Sequence, residues 1–379
     1  MTSSLAGWLL CLVSLVVISP LTKTRVHAAG SDAPSVLKDE SATELRRGSA
    51  DSLDVVRKRP SPPGKSDHFD GRKFFNPHIK GQKRDWKQGL KFFLTLKRPQ
   101  YNTVERVPSG AYFHKTPENK IRVTWIGHAA LLVQMGGYNI FTDPIWSKRA
   151  SPFQWVGPKR YALPGIDFKD LPPIHLVLIS HNHYDSMDEA TLRTLNKNHS
   201  PQFFVPLRNA HLLKRWGIKN VQEMDWWETR VIDRAKISCV PAQHFSQRSL
   251  FDRDRGLWSG WIVEMDSKKF YFVGDSGYFP DFAEIGRRHG PFSISAIPIG
   301  AYEPKGFMAP KHINPDEAVR VHRDARSKQS VAIHFNTFRI SLEPQDEPPI
   351  FLKKSLQERQ VPEEEFWILQ PGESREIDQ

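Results

Sequence analysis

The run Ser180-His181-Asn182-His183-Tyr184-Asp185-Ser186 follows a short apolar stretch, His175-Leu176-Val177-Leu178-Ile179. A brief apolar run bounded by polar residues reads as a buried strand, so the histidines fall where that strand opens into a loop. Two histidines two apart, with a carboxylate two further on, can converge imidazole nitrogens and an oxygen on one small volume. Such donors suit a divalent ion built into a hydrolytic site. A chain carrying this run needs rigid strand ends that bring the remaining ligands to it.

Three later positions have the same placement. His244 follows the strand-like segment 236–240, Asp275 follows 269–273, and His334 closes 330–334. A lone histidine closing a strand is more often structural or hydrogen-bonding than metal-ligating. Four such positions together favour a site on one sheet edge, because strands hold loop residues in fixed relation. Short strands are also expected at 121–126, 130–134, 138–142, 176–180, 202–205, 260–265 and 296–299, with Gly136-Gly137 as a hairpin turn. Helical patterns cover 187–197, 209–216, 280–288 and 314–326, and Asn314-Pro315 reads as an N-cap and first helical residue. Strands first and helices interleaved later predict an α/β layered fold in one domain.

The segments Thr124–Ala129 (TWIGHA), Phe141–Ile145 (FTDPI), Ser180–Asp185 (SHNHYD), Gly274–Tyr278 (GDSGY) and Ala296–Pro304 (AIPIGAYEP) carry a resemblance. Together with His244 and His334 in order, they resemble the metallo-β-lactamase superfamily. More narrowly, they resemble its N-acyl-phosphatidylethanolamine-hydrolysing phospholipase D family, over roughly residues 74–349. The resemblance implies a four-layer αβ/βα sandwich of metallo-β-lactamase type with two zinc ions on one edge. It implies that His181, His183 and His244 hold the first ion, that Asp275 bridges both, and that Asp185 and His334 hold the second.

The family pattern places one more histidine at position 186, where this chain has Ser186. A neutral hydroxyl is a poor zinc ligand beside imidazole. The first zinc site is therefore expected intact and the second weakened, filled by water or taken by another divalent ion such as Mn²⁺ or Fe²⁺. The implied activity is hydrolysis of N-acylphosphatidylethanolamine to N-acylethanolamine and phosphatidic acid. Asp185 or Asp275 could accept the proton of the attacking water. By family analogy Tyr184 and His312 contact the phospholipid, with Gln243 and Tyr302 as weaker candidates. His128 matches a family position that is not a ligand and is read as a supporting residue.

Composition sets the surroundings. A net charge of +12 favours anionic partners such as phosphates or acidic lipid surfaces, although a solvated basic surface would look the same. The Lys and Arg are dispersed and accompany no recognition motif, so nucleic acid is not expected, and no protein partner is predicted. Residues 1–28 read as a secretory signal: an apolar run from Leu5 to Pro20, too short for a comfortable span, then small residues around Ala28. An uncleaved anchor is the alternative, because Met1 to Trp8 has no Lys or Arg. Export to a periplasm, a lumen or the medium follows. Residues 29–66 read as a disordered linker and 67–120 as a basic extension packing on the domain. Its aromatics Trp86, Phe92 and Phe93 could touch a membrane. The hydrolase domain covers 121–379. Cys239, mid-strand, reads as a buried inert thiol.

Two other readings compete with a phospholipid phosphodiesterase. One is a metallo-hydrolase of another substrate, a lactone or small phosphodiester; the other is a lipid-binding relative whose second site has decayed. Gly274-Asp275-Ser276 also resembles the nucleophile block of GDS-type serine esterases. That reading lacks the late Asp-x-x-His pair, since His334 is preceded by Val331.

Overall fold

The computed structural model describes residues 67–79, 99–107 and 119–378. The signal and linker assignments, and the aromatic part of the basic segment at 80–98, lie outside the described residues.

Two seven-stranded sheets face each other. The first contains β1 (Lys120–Gly127), β2 (Ala130–Met135), β3 (Tyr138–Thr142), β4 (Leu176–Leu178), β5 (Gln202–Pro206), β6 (Val221–Met224) and β14 (Ser374–Asp378), in the order β14-β1-β2-β3-β4-β5-β6. The second contains β7 (Thr229–Ile232), β8 (Ala235–Val240), β9 (Gly260–Met265), β10 (Lys268–Phe272), β11 (Ile294–Pro298), β12 (Ser330–Ile333) and β13 (Phe366–Trp367), in the order β13-β12-β11-β10-β9-β8-β7. Each sheet is antiparallel on one side and parallel on the other, where β3 to β6 and β10 to β13 run together.

The side-chain period of a strand explains the layering. In β2 every residue is buried, but Leu131 and Val133 point into the core between the sheets while Ala130 and Leu132 point into a second core. Leu192 and Leu195 of α1 (Glu189–His199) and Leu213 of α2 (Ala210–Arg215) cover that second core. On the far sheet Phe282 and Ile285 of α3 (Asp281–His289), Val319 and Val321 of α5 (Pro315–Asp324) and Leu352 and Leu356 of α6 (Glu347–Glu358) are buried. The expected four-layer αβ/βα sandwich is thus present. Each such large apolar side chain contributes about 1.5–3 kcal/mol on burial. A one-turn helix, α4 (Lys305–Met308), precedes α5.

Local chemistry sets the boundaries. Gly136 and Gly137 have φ of +54° and +81°, the backbone a two-residue type I′ hairpin demands between β2 and β3. Asn314 Oδ1 accepts the Glu317 N–H at 3.0 Å, and Glu317 Oε2 accepts the Asn314 N–H at 3.1 Å, so α5 opens on a capping box. Cys239 is fully buried in β8.

Residues 67–79 lie against the domain. Phe74 is buried in the inter-sheet core, and Asn76 Nδ2 donates to the His244 carbonyl at 2.8 Å while its Oδ1 accepts from Trp258 Nε1 at 3.1 Å. Among the described residues, no helix is long and apolar enough to cross a membrane.

Candidate metal centre

The carboxyl ends of β4, β10 and β12 and the loop after β8 meet at one edge of the sandwich. The two sheets are joined there: Ser259 N–H donates to the Ser180 carbonyl and Trp261 Nε1 to the Ile179 carbonyl, each at 2.9 Å. Gly274 makes the approach close enough. A Cβ there would stand 2.7 Å from Ser180 Cβ and 2.9 Å from the Ser259 carbonyl oxygen, and its φ is +68°. Only glycine accepts both conditions, and the next residue is Asp275.

His181 Nε2, His183 Nδ1 and His244 Nε2 converge. His183 Nδ1 lies 2.7 Å from His181 Nε2 and 3.2 Å from His244 Nε2. Tetrahedral nitrogen ligands about 2.0–2.1 Å from zinc stand roughly 3.3 Å apart; the His183–His244 pair has that spacing, and the His181–His183 pair at 2.7 Å is closer than it.

Neighbouring groups fix the tautomers. Ser180 gives its hydroxyl proton to Asp143 Oδ2, and its oxygen lies 2.8 Å from His181 Nδ1, which donates to it. His244 Nδ1 donates to the Lys311 carbonyl at 2.9 Å. Both rings therefore turn an Nε2 lone pair into the site, the arrangement ligating histidines need. Burial holds all three imidazoles below the ordinary histidine range. His181 is held well below it with further help from His183 and His244, and His244 is lowered to about 3.

A second cluster stands beside the first. His128 Nε2 lies 3.1 Å from Asp185 Oδ2, and His334 Nε2 lies 3.8 Å from the same oxygen. Asp275 connects the two. Its Oδ2 is 3.1 Å from His334 Nε2 and 3.8 Å from both His181 Nε2 and His244 Nε2. Burial alone would raise the Asp275 carboxyl, but His334, His181 and His244 hold it well below its usual range. Asp185 is likewise depressed against its burial by His128 and His334. For His334 burial works downward, and the two carboxylates raise it to about 10. Both aspartates are thus ionised at neutral pH.

The donor set fits a pair of divalent ions. It combines buried imidazoles and carboxylates, and Asp275 Oδ1 and His312 Nδ1 are buried with no hydrogen-bond partner among the described residues. Leaving such atoms unsatisfied is costly unless a ligand or ion completes them.

The remaining candidates fall around this centre. His312 is buried, its ring 5.0 Å from that of His244 and 5.3 Å from that of His334, and burial keeps it neutral. Tyr184 donates its hydroxyl to the Arg248 carbonyl at 3.0 Å, and the Arg248 guanidinium lies 4.0 Å over its ring. Arg248 also donates to the Asn182 and Met187 carbonyls, clamping the ligand loop. Gln243 Nε2 donates to the Tyr278 and Pro310 carbonyls, and the Tyr302 hydroxyl to Glu347. The Ser276 hydroxyl is engaged with Gln243 N–H and the Gly277 carbonyl, which leaves no poised serine nucleophile.

His128, read from the sequence as a supporting residue, lies inside the second cluster. Its signal was weak: a single histidine after a glycine, at the end of a strand that carries no other ligand. Ser186 is fully buried.

The comparisons agree with this architecture. The description "Beta-lactamase superfamily domain" matches residues 138–335. The chain is 43% identical over 250 residues to N-acyl-phosphatidylethanolamine-hydrolyzing phospholipase D 1 of Caenorhabditis elegans, covering 62% of this chain and 70% of that one. It is 28% identical over 259 residues to a metal-dependent hydrolase of Methanopyrus kandleri, covering 68% of this chain and all of that one. Among solved structures it is similar to Igni18, a metallo hydrolase from Ignicoccus hospitalis, with a TM-score of 0.53 at 22% identity over 68% of this chain and 99% of that one. That likeness speaks to the fold alone. The chain belongs to the metallo-β-lactamase superfamily and, within it, to the family of N-acylphosphatidylethanolamine-hydrolysing phospholipase D. Its class is that of metallo-hydrolases, with His and Asp clusters suited to metal.

Proposed function

We propose that the protein is a zinc-dependent phosphodiesterase of phospholipase D type, releasing N-acylethanolamine and phosphatidic acid from N-acylphosphatidylethanolamine. The observation that carries the reading is the position of Asp275 Oδ2, within 3.8 Å of nitrogens from both clusters. One shared carboxylate lets two ions sit side by side, with His181, His183 and His244 at the first and Asp185 and His334 at the second. Bound there, the ions supply an acidified water and positive charge for the phosphoryl oxygens.

The chain's own residues supply the rest. Water attacks phosphorus, the bond from phosphorus to the ethanolamine oxygen breaks, and the leaving oxygen takes a proton. Asp185 and Asp275, both ionised, are in the form that accepts the proton of the attacking water. His312, neutral and beside His244, donates to a phosphoryl oxygen, and Tyr184 borders the substrate from the ligand loop. The Phe245 ring stands edge-on to that of His183 at 4.3 Å, with Arg253 and Lys311 at 4.0 Å and 5.5 Å from its centre. These cations favour an anionic headgroup. Exposed Phe153, Trp155, Phe251 and Phe307 support peripheral contact with a lipid surface. Export directed by residues 1–28 belongs to the same proposal.

The test is mass spectrometry of products after incubating the purified protein with N-acylphosphatidylethanolamine in detergent micelles. N-acylethanolamine and phosphatidic acid are expected, with His183→Ala at least about a hundredfold slower. Turnover of a lactone or small phosphodiester but not of the lipid would assign another substrate. Lipid binding without turnover, whichever of Zn²⁺, Mn²⁺ and Fe²⁺ is supplied, would indicate a binding protein.

A further inference from the structure

We propose that His128 is itself a ligand of the second divalent ion, so that this site is completed by His128, Asp185 and His334 together with the shared Asp275. The inference rests on the metal-centre reading above and goes beyond it, because it assigns a ligand from the first sheet's β1–β2 turn.

Three observations carry it. First, His128 Nε2, an Asp185 carboxylate oxygen and a His334 nitrogen all lie within 4.8 Å of one another. The contacts of 3.1 Å from His128 Nε2 to Asp185 Oδ2 and 3.1 Å from His334 Nε2 to Asp275 Oδ2 are the spacing expected of neighbouring ligands on one ion.

Second, the backbone is built to deliver this ring. His128 has φ of +57°, a left-handed conformation uncommon outside glycine. It is held there by its N–H to Thr337 Oγ1 at 2.6 Å and by its carbonyl, which accepts Trp125 Nε1 and the His334 N–H, each at 2.9 Å. His334 is also left-handed, at +61°. The two residues are thus hydrogen-bonded backbone to backbone, and their rings lie 4.1 Å apart with Phe338 at 5.2 Å from the His128 ring. Strained backbone held by several hydrogen bonds is characteristic of sites where a side chain must be aimed.

Third, the chemistry needs a nitrogen here. Ser186, the residue after Asp185, offers only a neutral hydroxyl, a weaker ligand than imidazole. His128 supplies the missing softer donor from a distant part of the chain and is only 1% exposed.

The competing role for His128 is positioning, with its ring merely donating to Asp185. His128→Gln separates the two, since its amide can still donate to Asp185 but replaces imidazole with a poor ligand. Zn²⁺ is titrated calorimetrically into metal-stripped full-length protein, His128→Ala and His128→Gln, and Co²⁺ absorption spectra are recorded at one and two equivalents. The expected result is two equivalents in the unaltered protein. Both variants should keep the first unchanged, bind the second about tenfold or more weakly, and show an altered spectrum only for the second Co²⁺. Retention of the first equivalent, which draws on both sheets, shows that the variants are folded. Wild-type affinity for the second ion in His128→Gln would overturn the ligand role while leaving the metal centre intact. Loss of both equivalents in both variants would assign His128 to the fold and overturn it too. A single equivalent in the unaltered protein would overturn the second site, and none at all would overturn the metal-centre reading itself.

Discussion

His181 Nε2 faces His183 Nδ1 at 2.7 Å, although both rings are buried and neither is charged at neutral pH. At this distance one neutral imidazole donates its N–H to the lone pair of the other. Here the approach is imposed from behind, by the Asp143–Ser180–His181 hydrogen bonds and by the Arg248 clamp on the ligand loop. The site is preorganised, so its cost is met in folding rather than on metal binding.

Ser180→Ala tests that support. It removes the acceptor for His181 Nδ1 and the hydroxyl that donates to buried Asp143, leaving the Ser180 N–H to Asp143 Oδ1 at 2.7 Å in place. Affinity for the first ion should fall about 10–100-fold in a chelator competition. Stability should fall by about 1–3 kcal/mol in urea.

Proton release should differ between the two sites. His334 of the metal-free protein has its pKa raised to about 10 and is charged at pH 8, whereas the first-site histidines are lowered and neutral there. The second ion must therefore displace one more proton than the first. Calorimetry in buffers of different ionisation enthalpy at pH 8 should show this, with second-site affinity climbing about tenfold per pH unit from 7 to 9. The sign for stability is the reverse. Charged His334 between its carboxylates stabilises the metal-free protein fully below the unfolded value near 6.5, and that contribution is lost as pH rises through about 10.

Gly274→Ala should be costly although it adds one carbon. The new Cβ would meet Ser180 Cβ at 2.7 Å in a backbone with φ of +68°. Strain and overpacking together should remove about 2–4 kcal/mol, read from the urea midpoint. Turnover should fall with it, because Asp275 is the adjacent residue.

Much of this was legible in the sequence because strand ends announce themselves. The apolar runs before Ser180, His244, Asp275 and His334 are buried on both faces, so they stand out without any alternation. β6 and β7 escaped notice because they are half-exposed, and β14 because it is largely exposed; all three carry Gln, Glu or Arg among their apolar residues. β13 is two residues long. The helix at Glu347–Glu358 begins Glu-Pro-Pro, which reads as a break unless the prolines are recognised as its first turn. The neighbours of His128 were hidden for a different reason. Its partner Asp185 is 57 residues away, and only the pairing of β1 with β2 and the bond to His334 bring them together.

The central claim is that two ions held by these histidines and aspartates drive phosphodiester hydrolysis. Its most direct test is the rate of N-acylethanolamine release from N-acylphosphatidylethanolamine as Zn²⁺ is added stepwise to metal-stripped protein. The account predicts no turnover without metal and a rate that rises until two equivalents are bound. Full turnover in the stripped protein, or none at any loading with Zn²⁺, would contradict it.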